Sequence, residues 1–133
     1  MKRWLKRQYM KFKYRKAHML LASGSDIGIS SVFEGHDILY KNSSFTGSMG
    51  YGSYIAADCI INADIGRYTS IAGGVRVVGG SHPTKDFVSM SPAFYTPNPD
   101  AGLSYVKTLK YKEHKGRFES GVWAKIGNDV WIG

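Results

Sequence analysis

Aliphatic residues recur at Ile65, Ile71 and Val77, six positions apart, and the first two are each followed by a small residue, Gly66 and Ala72. A period of six matches neither the 3.6-residue turn of a helix nor the simple alternation of a flat strand. A short fixed repeat of this kind specifies a solenoid, so the expected class is all-β. Each coil should supply roughly three strands and three corners, with the aliphatic position pointing inward. The rhythm stops at His82, where a long irregular stretch begins. The rest of the chain reads as a scaffold holding that histidine at a coil edge.

Upstream, from about Ser25, short apolar pieces (Ile27, Val32-Phe33, Ile38-Leu39, Phe45, Tyr54-Ile55, Ile60-Ile61) are separated by Gly, Asn, Asp and Ser. The six-residue spacing reads as loose here and becomes strict only from Ile65 to Val77. Sixteen glycines, with Ala, Asn and Asp, suit corners that need left-handed backbone angles. Residues 79 to about 117 break the pattern. All four prolines, Pro83, Pro92, Pro97 and Pro99, fall inside that stretch, which excludes continuous sheet. A segment this long without regular structure is typically a functional loop. Phe87, Phe94, Tyr95, Tyr105 and Tyr111 give it enough apolar area to fold back onto the body rather than stay disordered.

The repeat resumes near Ser120, with Ile126 and Ile132 six apart around Val130. The chain then stops two residues into a new hexad with no capping segment, so further C-terminal coils are expected to be missing. The expected layout is a basic helix or arm over 1–20 and a β-helix domain over 21–133, with the loop 79–117 inserted.

The net charge of +8 is confined to one end. Lys2, Arg3, Lys6, Arg7, Lys11, Lys13, Arg15 and Lys16 account for all of it, and from Ala17 onward ten basic residues face ten acidic ones. The body offers no second basic face, so nucleic acid is not an expected partner. Leu5, Tyr9 and Phe12 fall at i, i+4 and i+7 with Trp4 beside them, which makes one helical face. Two uses follow: a cap over the open end of the solenoid, or a basic amphipathic helix resting on the anionic inner face of a membrane. No stretch approaches the roughly 20 apolar residues of a membrane span. The single cysteine, Cys59, fits a small buried residue in a reducing, cytoplasmic setting.

Four segments together resemble the hexapeptide-repeat acyltransferases: Ile-Gly-Arg-Tyr-Thr-Ser-Ile-Ala at 65–72, Gly-Ser-His-Pro-Thr at 80–84, Ser-Pro-Ala-Phe-Tyr at 91–95 and Ile-Gly-Asn-Asp-Val-Trp-Ile-Gly at 126–133. The similarity is closest to the O-acetyltransferases of sugars and capsular polysaccharides and to the xenobiotic and galactoside acetyltransferases. The resemblance implies a left-handed parallel β-helix, a handedness opposite to the usual crossover rule. It also implies a homotrimer with sites between subunits, acetyl-CoA as co-substrate, and a sugar or polysaccharide-precursor acceptor. It places His82 as the catalytic base, Trp131 and Asn128 at the acyl-donor groove, and Phe94 and Tyr95 toward the acceptor.

Such a transfer needs a base, because a neutral alcohol is a poor nucleophile, and histidine with its ordinary pKa near 6.5 suits that role. Pro83 restrains the backbone of His82 toward extended angles. Asp86, Glu113 and Glu119 are the acids that could orient the imidazole, and no spacing rule chooses among them. His18, His36 and His114 read as an arm terminus, an outward residue and a solvated residue. The four histidines are at least sixteen residues apart, which argues against a metal centre. The alternative to an enzyme is a truncated β-helix scaffold lacking its donor site.

Overall fold

The computed structural model describes residues 3–100, 102–113 and 116–133. The chain divides into two compact units, one formed by 1–78 with 117–133 and the other by 79–116. His114 lies outside the described residues.

The first unit is a parallel β-solenoid of about three turns, preceded by one helix, α1 (Arg3–Lys13). Three ladders run along it. One stacks β1 (Leu20–Leu21), β4 (Ile38–Leu39), β7 (Tyr54–Ile55), β9 (Ser70–Ile71) and β11 (Trp131–Ile132). The second stacks β2 (Asp26–Ile27), β5 (Ser44–Thr46) and the first half of β8 (Ile60–Ile65). The third stacks β3 (Val32–Phe33), β6 (Ser48–Met49), the second half of β8, and β10 (Ala124–Ile126). Pairing places Ile38 opposite Tyr54, Tyr54 opposite Ser70, and Ser70 opposite Trp131.

The corners that bend these short strands form columns. Gly24, Asn42, Asp58 and Gly74 share positive φ, as do His18, His36, Gly52, Tyr68 and Asp129. Glycine, asparagine and aspartate are the expected occupants. Tyr68 and the two histidines are not, and each stands in a stack: His18 on His36 at 4.9 Å, His36 on Tyr51 at 5.1 Å, and Tyr51 on Tyr68 at 6.1 Å. Ring contact between coils compensates for the less favourable backbone.

The core is a file of inward side chains: Leu21, Ile27, Phe33, Leu39, Phe45, Met49, Ile55, Ile61, Ile65 and Ile71. As far as Phe45 the spacing is therefore strict, contrary to the loose reading of the sequence. Leu21 to Phe45 runs in unbroken steps of six. The outward neighbours Val32, Ile38, Tyr54 and Ile60 are also apolar and disguise its phase. At one corner the file advances by four, from Phe45 to Met49 and from Ile61 to Ile65. Gly47 lies at that corner with φ 135°, and a Cβ there would overlap the Ala63 carbonyl of the next coil. Gly47→Ala is accordingly expected to destabilise the fold by about 1–3 kcal/mol, read as a lower urea midpoint with an unchanged slope.

Small hydroxyls satisfy the buried corner carbonyls. Ser43 Oγ donates to Ala56 O at 2.7 Å and Ser53 Oγ to Gly66 O at 2.8 Å. Cys59, fully buried one coil beyond Ser43, contacts Ala72 O through Sγ at 3.1 Å, so it occupies a serine-like structural position. Asp37 is the charged counterpart. Its carboxylate accepts the Gly35 N–H at 2.9 Å and the Ser53 N–H at 3.3 Å. Burial pushes its pKa up from 3.8 to about 6, against those two bonds and with help from Glu34. The folded chain thus holds this proton more tightly than the unfolded chain. The associated stability is complete below 3.8 and is lost as pH rises through about 6. Denaturation midpoints should fall over that window, and the Asp37→Asn variant should lack this component of the slope.

Helix α1 does cover one end of the core, but not with the face that the sequence singled out. Met10 is fully buried among the core residues, Tyr14 meets Phe33 edge-on at 5.4 Å, and Lys6 Nζ pairs with Asp26 at 2.7 Å. Trp4, Leu5, Tyr9 and Phe12 are exposed. A flexible methionine is the helix residue that fills the end of the core.

Candidate active site

Among its described residues the second unit, 79–116, has one short 3-10 turn, η1 (Pro92–Phe94), and is otherwise irregular. Its order comes from cross-chain backbone bonds and an aromatic cluster. The Ser81 N–H donates to Glu113 O at 2.9 Å, the Lys110 N–H to Tyr95 O at 2.7 Å, and the Tyr105 N–H to Ala93 O at 2.8 Å. Tyr95, the residue that closes η1, packs edge-on against Phe87 at 6.0 Å and Tyr111 at 5.5 Å. These bonds bring the start of the segment, its middle and its end together.

His82 lies at that junction. Its imidazole is exposed, while Nδ1 is 2.8 Å from the hydroxyl of Tyr95, which is fully buried. The Tyr95 hydroxyl in turn donates to Glu113 Oε1 at 2.6 Å. A phenol has a single proton, and here it goes to the carboxylate. The contact with His82 must then be completed by a proton on Nδ1. Burial first, and then the Glu113 hydrogen bond and charge, push the Tyr95 pKa up to about 12, so the phenol keeps its proton. The neutral imidazole held this way carries its lone pair on Nε2. Ser81 and Tyr111 brace the same corner, with their oxygens 2.9 Å apart and the Tyr111 hydroxyl donating to His82 O at 3.4 Å.

The residues expected at the site are therefore brought together in part. Phe94 is half-exposed and stacks on Tyr105 at 5.2 Å with ring planes 19° apart. Asp86 lines a small cleft of about 130 Å³ with Pro83, Thr84, Lys85 and Tyr111. Asn128 and Trp131 belong to the solenoid unit. Asn128 Oδ1 accepts the Arg67 N–H at 2.8 Å, and Asn128 lines a groove of about 370 Å³ with Glu34, Met49 and Arg67. The Trp131 side chain is exposed on the outer row of its ladder and is not a core residue.

Glu113 is the acid that reaches this cluster, a choice the sequence leaves open. It was one acid among three, and its route to the imidazole runs through a hydroxyl rather than directly. Among the described residues no three His, Cys, Asp or Glu side chains converge as a metal site would require. The fold and this cluster define a parallel β-solenoid carrying a histidine–tyrosine–glutamate relay on an inserted segment. No protein-family model, no curated protein and no solved structure matches the chain.

Proposed function

We propose that the protein is an acetyl-CoA-dependent O-acetyltransferase acting on a sugar or surface-polysaccharide precursor, with His82 as general base. The observation that carries this reading is the relay, because a proton held on Nδ1 makes Nε2 the lone-pair nitrogen of the neutral imidazole, on an exposed residue. The parallel solenoid and the Gly-Ser-His-Pro-Thr segment support it alongside.

In this reading Nε2 takes the proton of the acceptor hydroxyl as its oxygen attacks the thioester carbonyl. The new C–O bond forms while the carbonyl electrons move onto oxygen. Collapse of that tetrahedral species breaks the C–S bond, and the imidazolium returns its proton to the departing thiolate. An acetyl ester and a free thiol result, and the base is regenerated. Tyr95 and Glu113 do not touch the reactants. They are positioning residues that keep the proton on Nδ1. Phe94, one residue before the relay tyrosine, and the Asp86 cleft, lined by Pro83 next to the base, are the acceptor contacts that this reading assigns. Trp131, with its indole exposed, is the candidate for stacking the donor's adenine, and Asn128, whose Oδ1 already accepts the Arg67 N–H, has its amide Nδ2 to offer.

A left-handed coil of hexapeptide type, a homotrimer and a cytoplasmic location accompany this reading. The outward row Leu20, Ile38, Tyr54, Ser70 and Trp131, apolar except at Ser70, is the strip this reading assigns to contact between copies. The test is transfer of labelled acetyl from acetyl-CoA to a panel of sugar acceptors, with calorimetric titration of coenzyme A in parallel. Transfer with donor binding supports the enzyme. A folded protein that binds no coenzyme A would be a scaffold instead.

A further inference from the structure

Helix α1 packs in reverse of the usual amphipathic arrangement. At 100° per residue, Trp4, Phe12, Leu5 and Tyr9 fall within an arc of roughly 140°, interrupted only by Gln8. All four are exposed, with Trp4 at 63% and Phe12 at 68%. Met10, on the opposite side, is the residue buried in the solenoid. Lys11 and Lys13 border the arc on its two sides, and both are exposed. Past the helix, the Arg15 guanidinium lies 4.7 Å over the Phe12 ring. Lys11, Tyr14, Arg15 and His18 line an adjoining cleft of about 470 Å³. No acidic residue occurs before Asp26, and Asp26 is engaged by Lys6.

We infer that this face docks on an anionic phospholipid bilayer. The aromatic arc would enter the headgroup–acyl boundary, and Lys11, Lys13 and Arg15 would meet lipid phosphates. Charge complementarity selects the occupant. An arc of bulky apolar side chains bordered by cations, with acids absent, matches the layered chemistry of such a surface. A nucleic acid would use the cations and leave Trp4, Leu5 and Phe12 without a role. No helix among the described residues is long and apolar enough to cross a membrane, so the contact is peripheral. The inference is independent of acetyl transfer, and its test reads no activity.

The test uses the full chain in flotation assays with vesicles of phosphatidylcholine alone and of phosphatidylcholine mixed with phosphatidylglycerol. Binding is expected only to the mixed vesicles. The double variant Trp4→Ser, Phe12→Ser should lose it with the circular dichroism of the solenoid unchanged, because both side chains are already outside the core. Lys11→Gln with Lys13→Gln should weaken it by roughly thirtyfold, on the basis of each cation's attraction to an anionic surface. Three results would overturn the proposal. In one, the parent protein does not float with either vesicle. In another, the Trp4, Phe12 double variant binds undiminished, which would leave only a polycation. In the third, duplex DNA displaces the protein from the mixed vesicles, or the double variant dissociates a self-associated parent that never binds lipid.

Discussion

His82→Ala is expected to lower acetyl transfer by about 10²–10⁴-fold, the usual contribution of a positioned base, with the Michaelis constants of donor and acceptor little changed. His82 is exposed, and the Tyr95 hydroxyl keeps its bond to Glu113 without it, so the variant should keep the parent's fold. The relay adds a finer pattern. Tyr95→Phe removes the acceptor for Nδ1–H and should cost about 1–3 kcal/mol of transition-state stabilisation, a fall in kcat of roughly five- to 150-fold. Glu113→Gln keeps a carbonyl oxygen that can still accept the Tyr95 proton, and should lose little. Glu113→Ala frees that phenolic proton to turn toward Nδ1. The imidazole proton is then driven onto Nε2, the atom that must act as base. Alanine at 113 should therefore be much worse than glutamine. A merely structural role for Glu113 would make the two variants alike, and equal rates for parent and His82→Ala would remove the histidine from the chemistry altogether.

Phe45→Ala should be the most damaging truncation in the solenoid, at about 3–5 kcal/mol. The ring is fully buried and lies 5.5 Å from Phe33, which in turn meets Tyr14 beyond the helix. Removing it empties a position that three successive layers share. Ile61→Ala, one coil on, should cost about 2–5 kcal/mol. Its immediate neighbour Ile60 is 46% exposed and outward, so Ile60→Ala should remain near 0.5 kcal/mol. Chemical denaturation of the pair measures the phase of the repeat directly. Similar losses at 60 and 61 would contradict the alternation that the ladders impose.

That phase is what the sequence concealed. The six-residue period is visible at Ile65, Ile71 and Val77, where the preceding residues Asp64, Ser70 and Arg76 are polar. Upstream, several strands offer two adjacent apolar residues, as at Leu20–Leu21, Val32–Phe33, Ile38–Leu39 and Tyr54–Ile55. Nothing local says whether Val32 or Phe33, Ile38 or Leu39, turns inward, and the four-residue steps at one corner blur the count further. The helix shows the same ambiguity. Its apolar stripe is plain, but a stripe does not declare whether it faces protein or a different apolar medium. At the site, His82 was legible because Pro83 and its neighbours form a compact motif. Glu113 was not, because its link passes through Tyr95, 13 residues from the histidine and 18 from the acid. Only the folded segment brings the three together.

The ladders pair Ser70 with Trp131 and Ala63 with Ala124, so the winding continues across residues 79–116 as though they were absent. The segment that carries His82 is in effect an insertion between two coils. Its length and chemistry can diverge between descendants at little more than the slowly growing entropy of closing a longer loop. On the acetyltransferase reading, a change of acceptor then needs no change in the coils.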